Sequence, residues 1–353
     1  MKRFIAEHSA LFILAALCVA LGLYSPEFRS AGNLQNVAQR TTVVGVIALG
    51  ELLVILMGGI DLSVGSIAAL SGVAGCLAML QCQTWLASEL VHGCVAKLAS
   101  WTSPSAEAFL ANGVFPGLVL TAGLLAGVLV GLACGVVNGL LVTKGRIQPF
   151  IATLGMMMAA RGLTMVISGQ KSVFGMPKLF TWLGGAGEMA DGGRAWFVPV
   201  LITAVLGLVF ALMLLYTQFG RGLYAVGGNT EAARLSGIPV DAVRGAAFAI
   251  AGAMAGFAGM ILASRASVAS PTGGEMAELD AIAACVIGGA SLSGGVGGAV
   301  AALAGALIMS VLYNFCNIQN VSPDWQKVLV GALLVSLVYY DNWRRRRAGI
   351  LKD

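Results

Sequence analysis

At 353 residues the chain is long enough for two soluble domains, but 58 % of it is Ala, Val, Ile, Leu, Met, Phe, Trp, Tyr or Cys and only 10 % is charged, against roughly a quarter charged in a soluble domain. That deficit excludes a water-soluble globule, and about 205 apolar residues fill roughly ten spans of ~20 residues, with no room left for a large soluble catalytic domain. The net charge of +5 is dispersed, as loop charges that set membrane orientation are, and unlike a nucleic-acid surface.

Charge-free runs locate the spans, because an ionised side chain at the bilayer centre is costly. The first run, 8–26, follows Lys2 and Arg3, and Leu23-Tyr24-Ser25-Pro26 offers no small-x-small cleavage pattern. It therefore reads as an uncleaved span rather than a signal peptide. Segments 41–57, 62–80, 108–143, 149–168, 195–220 and 245–264 follow, then two crossings within 281–323, and finally 326–340. The piece near 281–292 is short enough to be a half-helix or re-entrant element. Glycine, 48 residues, is about twice as frequent as the average of ~7 % and lets membrane helices approach closely. The expected fold is all-α, one polytopic domain over 1–353 with about ten transmembrane helices.

With the N-terminus inside, ten crossings return the C-terminus inside, where Arg344, Arg345, Arg346 and Arg347 directly follow the last span. Both ends agree under the positive-inside rule. The same count places Lys144, Arg146 and the loop 217–244, with Arg221, Arg234 and Arg244, in the cytoplasm. It places 25–40, 81–115 and 169–195 outside.

Catalytic chemistry finds little support. No Gly-x-x-x-x-Gly-Lys-Ser/Thr phosphate loop occurs, so the chain is not expected to hydrolyse nucleotides itself. His8 and His92 have no neighbouring Ser/Asp constellation. The seven cysteines, Cys18, Cys76, Cys82, Cys94, Cys134, Cys285 and Cys316, form no Cys-x-x-Cys pair, which supports neither a metal site nor a disulfide framework. One pairing, Cys82 with Cys94, stays open if their loop faces an oxidising compartment. No cofactor is expected.

The most informative stretch runs from Gly220 to Pro239. Asn229 or Thr230 can cap a short helix, Glu231 sits near its positive N-terminus, and Ser236-Gly237 followed by Pro239 can stop it. The Ala232-Ala233 surface is small enough to lie in a groove of another protein, with Glu231 and Arg234 setting orientation. A docking helix and a plain connecting loop both satisfy this pattern. A second cluster, Gly58-Gly59-Ile60-Asp61-Leu62-Ser63-Val64-Gly65-Ser66, breaks helix geometry between two spans. Asp61 there is either a wet residue at a span's end or a cap for a helix starting at Leu62, with a direct substrate contact as the lesser alternative. The pattern recurs as Gly288-Gly289-Ala290-Ser291-Leu292-Ser293-Gly294-Gly295, a trace of internal duplication or of low complexity. Glu51 and Arg161 are the other intramembrane ionisable residues, placed for a polar pathway or an internal pair. Asn314, Asn317, Gln319 and Asn320 meet a polar solute or simply face water.

Together with Lys144-Gly-Arg-Ile-Gln-Pro-Phe-Ile-Ala-Thr-Leu154 and the run from Glu278 to Gly295, these clusters give the chain a resemblance to the ribose/xylose/galactofuranose permease family of bacterial ABC sugar importers over nearly its whole length. The resemblance implies a ten-helix fold similar to the vitamin B12-importer type. It implies a two-subunit pore, a homodimer or related heterodimer, in the bacterial inner membrane, which receives a monosaccharide, ribose-like first of all, from an extracytoplasmic binding protein. Separate ATP-binding cassette subunits would drive it. Gly228, Asn229, Glu231, Ala232, Ala233, Arg234, Ser236 and Gly237 then become the helix that couples to the ATPase. Ile60, Asp61, Leu62 and Ser63, with Leu292 and Ser293, become motif positions near the pathway. Segment 81–115 is longer than the family's usual connection. A stand-alone secondary carrier or channel is the alternative, and the scarcity of membrane acids argues against it.

Overall fold

The computed structural model describes residues 9–86, 115–189 and 193–347. His8, His92 and Cys94, hence the Cys82–Cys94 pairing, and most of 81–115 lie outside the described residues. Among the described residues there are twelve α-helices: α1 Ser9–Tyr24, α2 Ala31–Leu56, α3 Val64–Leu86, α4 Phe115–Thr143, α5 Pro149–Ser168, α6 Phe197–Tyr216, α7 Gln218–Gly228, α8 Thr230–Leu235, α9 Val240–Ala266, α10 Ala277–Ile287, α11 Ala299–Ile318 and α12 Pro323–Arg347. Extended pairing among them is confined to two isolated bridges, Val173 with Ala269 and Glu188 with Arg194.

Helix ends follow local chemistry. Ser30 caps α2, its hydroxyl accepting the Asn33 N–H at 3.3 Å. Pro149 opens α5, where its missing N–H is no loss, and Gly169 closes it in the left-handed region at φ 58°. Seven helices, α2 to α6, α9 and α11, are long and apolar enough to cross a membrane. The other three expected segments correspond to α1, α10 and α12. With 11 residues, α10 rises about 16 Å, half of a ~30 Å hydrocarbon core. It is the half-helix the sequence suggested near 281–292.

The core is built around α2. Of its apolar stretch, 89 % is buried, and Val46, Ala48, Leu49, Leu52, Leu53, Val54, Ile55 and Leu56 expose nothing. Helices α9, α11, α10 and α6 pack on it. Lipid tails are as apolar as leucine, so such packing comes from close approach rather than from hydrophobic drive. The α4–α9 contact shows how. Gly123, Gly127, Gly131, Gly135 and Gly139 recur every four residues on one face of α4, Gly123 against Met79 of α3 and Gly131, Gly135 and Gly139 against α9. A β-carbon on Gly131 would collide with Gly252 O, and one on Gly135 with Phe248 O. The two backbones touch because neither carries a side chain there. Outer faces are apolar and exposed, as at Leu201, Val205, Leu208 and Leu212 on α6, which suits lipid contact.

Candidate coupling site and motif junction

The α7–α8–α9 corner is a compact device. Thr217 caps α7, its hydroxyl accepting the Gly220 N–H at 3.1 Å. Asn229 then takes an extended conformation, φ −158° and ψ 105°, and its Oδ1 accepts the Ala232 N–H at 3.0 Å, so Asn229 rather than Thr230 is the cap. Thr230 turns back to donate to Val226 O at 3.0 Å, and Arg244 Nη2 from α9 donates to Thr230 Oγ1 at 3.2 Å. Ser236 Oγ donates to Ala232 O at 2.8 Å, and Gly237, at φ 82°, ends α8 in a conformation glycine adopts without strain. Glu231 and Arg234 approach at 3.4 Å with both side chains largely exposed, an ion pair of little energetic weight.

The face that α8 presents differs from the expected one. Ala233 is 3 % exposed and packs inward, while Leu235 is 88 % exposed. The outward surface is therefore Glu231, Ala232, Arg234, Leu235, Ser236 and Gly237, without Ala233. Beside it, Phe219, Arg221, Ile238, Pro239 and Val243 line an open cleft of about 530 Å³.

The first motif folds back into the protein. After α2, Gly58 (φ 77°) and Gly59 turn the chain, the Gly59 N–H donating to Val54 O at 3.0 Å. Glu51 Oε1, two turns back along α2, accepts the Asp61 N–H at 3.0 Å. Asp61 Oδ1 accepts the Ser63 N–H at 2.8 Å and the Ser63 hydroxyl at 2.5 Å, and Asn138 Nδ2 from α4 donates to Ser63 Oγ at 2.9 Å. Thr153 Oγ1 of α5 accepts the Leu62 N–H at 3.2 Å. Glu51, Asp61, Ser63, Asn138 and Thr153 are all 0 % exposed. Asp61 is thus not at a wet end, and α3 begins at Val64 rather than Leu62. The carboxylate organises the turn ahead of α3, an Asx-type turn, instead of capping a helix that starts at Leu62.

The second motif leaves α10 through Gly289 at φ 91°, and the Ala290 N–H donates to Cys285 O at 2.9 Å. The structure then brings the two copies together: the Gly295 N–H donates to Leu56 O at 2.9 Å, and Gly58 lies against Ser293 O. Ile60 and Leu62 are partly buried, as is Leu292, whereas Ser293 is exposed.

Comparison with known proteins decides the family. The profile described as "Branched-chain amino acid transport system / permease component" matches residues 33–338. The chain belongs to that permease family. It is 38 % identical to the ribose import permease protein RbsC of Escherichia coli (strain K12) over 348 residues, covering 97 % of this chain and 95 % of that protein. It is 39 % identical to RbsC of Bacillus subtilis (strain 168) over 330 residues, covering 93 % and 90 %. With the xylose transport system permease protein XylH of E. coli K12 it shares 35 % over 375 residues, covering 96 % and 93 %. No solved structure matches. The chain is therefore a multi-pass membrane permease component of a transport system, and its work is passage rather than bond-making.

Arg161, Asn314 and Asn317 find their partners within the permease. Arg161 does not pair with Glu51; its guanidinium donates to Pro271 O at 2.9 Å and Gly273 O at 3.1 Å. Asn314 and Asn33 exchange amide hydrogen bonds at 2.6 and 3.0 Å, and Asn317 Oδ1 accepts from Gln326 at 2.8 Å. Sequence reasoning missed Asn138, Thr153 and Leu235, and also the Asp280–Tyr313–Arg40 stack, where Tyr313 donates to Asp280 at 2.7 Å under an Arg40 guanidinium 4.1 Å from its ring. An asparagine one position before Gly139 in a glycine-rich helix is the one signal that pointed to Asn138, since a polar amide in a span needs a partner.

Proposed function

We propose that this permease forms the membrane conduit of an ATP-driven importer for a ribose-like monosaccharide in a bacterial inner membrane. A binding protein on the outer side delivers the sugar, and separate ATP-binding cassette subunits on the inner side drive passage. A second copy of the chain, or a related one, completes the pore in an arrangement of the vitamin B12-importer type. Both termini and the loop 217–244 face the cytoplasm, while 81–115 lies outside. The ribose and xylose permeases above support the sugar class. Arg221, Arg234, Arg244 and the arginines at 344–347 support the sidedness, since positive loops stay inside.

The observation that carries the reading is α8 itself: a capped, two-ended helix projecting Leu235 at 88 % exposure between two helices, α6 and α9, long and apolar enough to span. An exposed apolar tip beside a cleft with a cationic edge at Arg221 has the form of an anchor for another protein. The test is ribose uptake by proteoliposomes holding the permease with its ATP-binding subunits and ribose-loaded binding protein. Leu235→Asp and Glu231→Arg are each expected to cut uptake at least tenfold, the scale set by losing about 1.4 kcal/mol at an anchor, and to release the ATP-binding subunits on purification. Full uptake by both variants at normal abundance would refute the docking role.

A further inference from the structure

Three glycine pairs from distant parts of the chain converge at one point: Gly58-Gly59 after α2, Gly227-Gly228 at the end of α7, and Gly294-Gly295 between α10 and α11. A β-carbon on Gly227 would overlap Leu56 O and lie 2.6 Å from Gly295 N. One on Gly294 would lie 2.9 Å from Gly227 Cα and 2.9 Å from Gly58 N. The Gly295 N–H already donates to Leu56 O at 2.9 Å. These contacts are main chain on main chain, with no side chain that could re-pack, so one segment moves only if the others move with it. Two bonds pin α7 at either end of this region. Tyr224 OH donates to Gly297 O at 2.8 Å, and the Asn229 N–H, donating to Ala225 O at 3.1 Å, fixes α8 to α7.

We propose that Gly227, at the end of α7, is a positioning residue through which movement of α8 reaches both motif copies in one step. The proposal rests on the reading of α8 as the docking helix. Through its covalent link α8 moves only α9 on its far side. Through the junction it moves the connection between α2 and α3 and that between α10 and α11, the two places where the spans are broken and two discrete arrangements are cheapest. The two copies supply bare backbone to the junction from opposite ends of the motif, Gly58 of the first and Gly294-Gly295 of the second.

The readout is ribose imported per ATP hydrolysed in the reconstituted system. Tyr224→Phe keeps the ring and removes one hydrogen bond, and is expected to lower the ratio about fivefold. Gly227→Ala is expected to abolish import while the ATP-binding subunits still co-purify and hydrolyse ATP. Gly298→Ala, in the same connection but at φ −162° with open space about its β-carbon, is expected to keep the normal ratio. Because an added methyl at Gly227 can also unfold the junction, deuterium uptake of the unaltered assembly gives a second measurement. Exchange at 57–63 and at 289–298 is expected to change together on ATP binding, along with 227–238. Normal ratios in both Tyr224→Phe and Gly227→Ala, or a change at 227–238 without change in the other two segments, would overturn the junction while leaving docking intact. Failure of the unaltered permease to retain its ATP-binding subunits would overturn docking, and the junction with it.

Discussion

Ala233 and Leu235 stand two residues apart in α8 and face opposite ways, one 3 % and the other 88 % exposed. Enlarging Ala233 should therefore damage the corner itself. Ala233→Trp is expected to overpack it by about 1–3 kcal/mol and lower the melting temperature of the purified permease, whereas Leu235→Asp should melt as the unaltered protein does. Equal melting of Ala233→Trp and the unaltered chain would show that the inward face has been misassigned. The sequence made the helix and both its ends legible, because Asn229 and Ser236-Gly237 carry their signals locally. It did not show which face turns inward. Six residues are fewer than two turns, too few for periodicity to mark a side. The partners that decide it come from α7 and α9.

At the scale of elements, charge-free runs were a sound guide because the bilayer penalises charge wherever the helix packs. The detailed start of α3 was not legible, since Val64 begins it only when Asn138 of α4 and Thr153 of α5 hold the preceding turn. The α4–α9 glycine ladder was legible as composition, but its partner was not. The ladder predicts a sharp asymmetry. Gly131→Leu must push α4 off α9 and is expected to cost about 1–3 kcal/mol or more, seen as lost thermal stability and aggregated protein on size exclusion. Gly155→Ala on α5, where an added β-carbon meets nothing within 4 Å, is expected to leave melting unchanged. Similar melting of the two would mean that the ladder is not a tight contact.

For the molecule as a whole, the repeat was visible as five matches in eight positions, yet nothing in the sequence said that the two copies touch. Their contact follows from α2 and α10 packing side by side, with Cys285 of α10 against the Ala48 carbonyl of α2 at 3.3 Å. Sidedness was read from charge alone and has a direct check. A single added thiol, Ser236→Cys, is expected to react with a membrane-impermeant maleimide in inside-out vesicles and to stay unlabelled in intact cells. Labelling in intact cells would reverse the orientation.

The enclosure of α2 bears on how the chain is made. Gln39 donates to Gly185 O at 3.0 Å, on a segment that leaves the ribosome much later, and α9, α10 and α11, which wall in the rest of α2, are later still. A nascent permease therefore carries a polar-bearing helix whose lodging does not yet exist, and it must linger beside the insertion machinery until the second half emerges. Chains truncated ahead of α9 should be cleared by membrane proteases rather than accumulate as stable fragments.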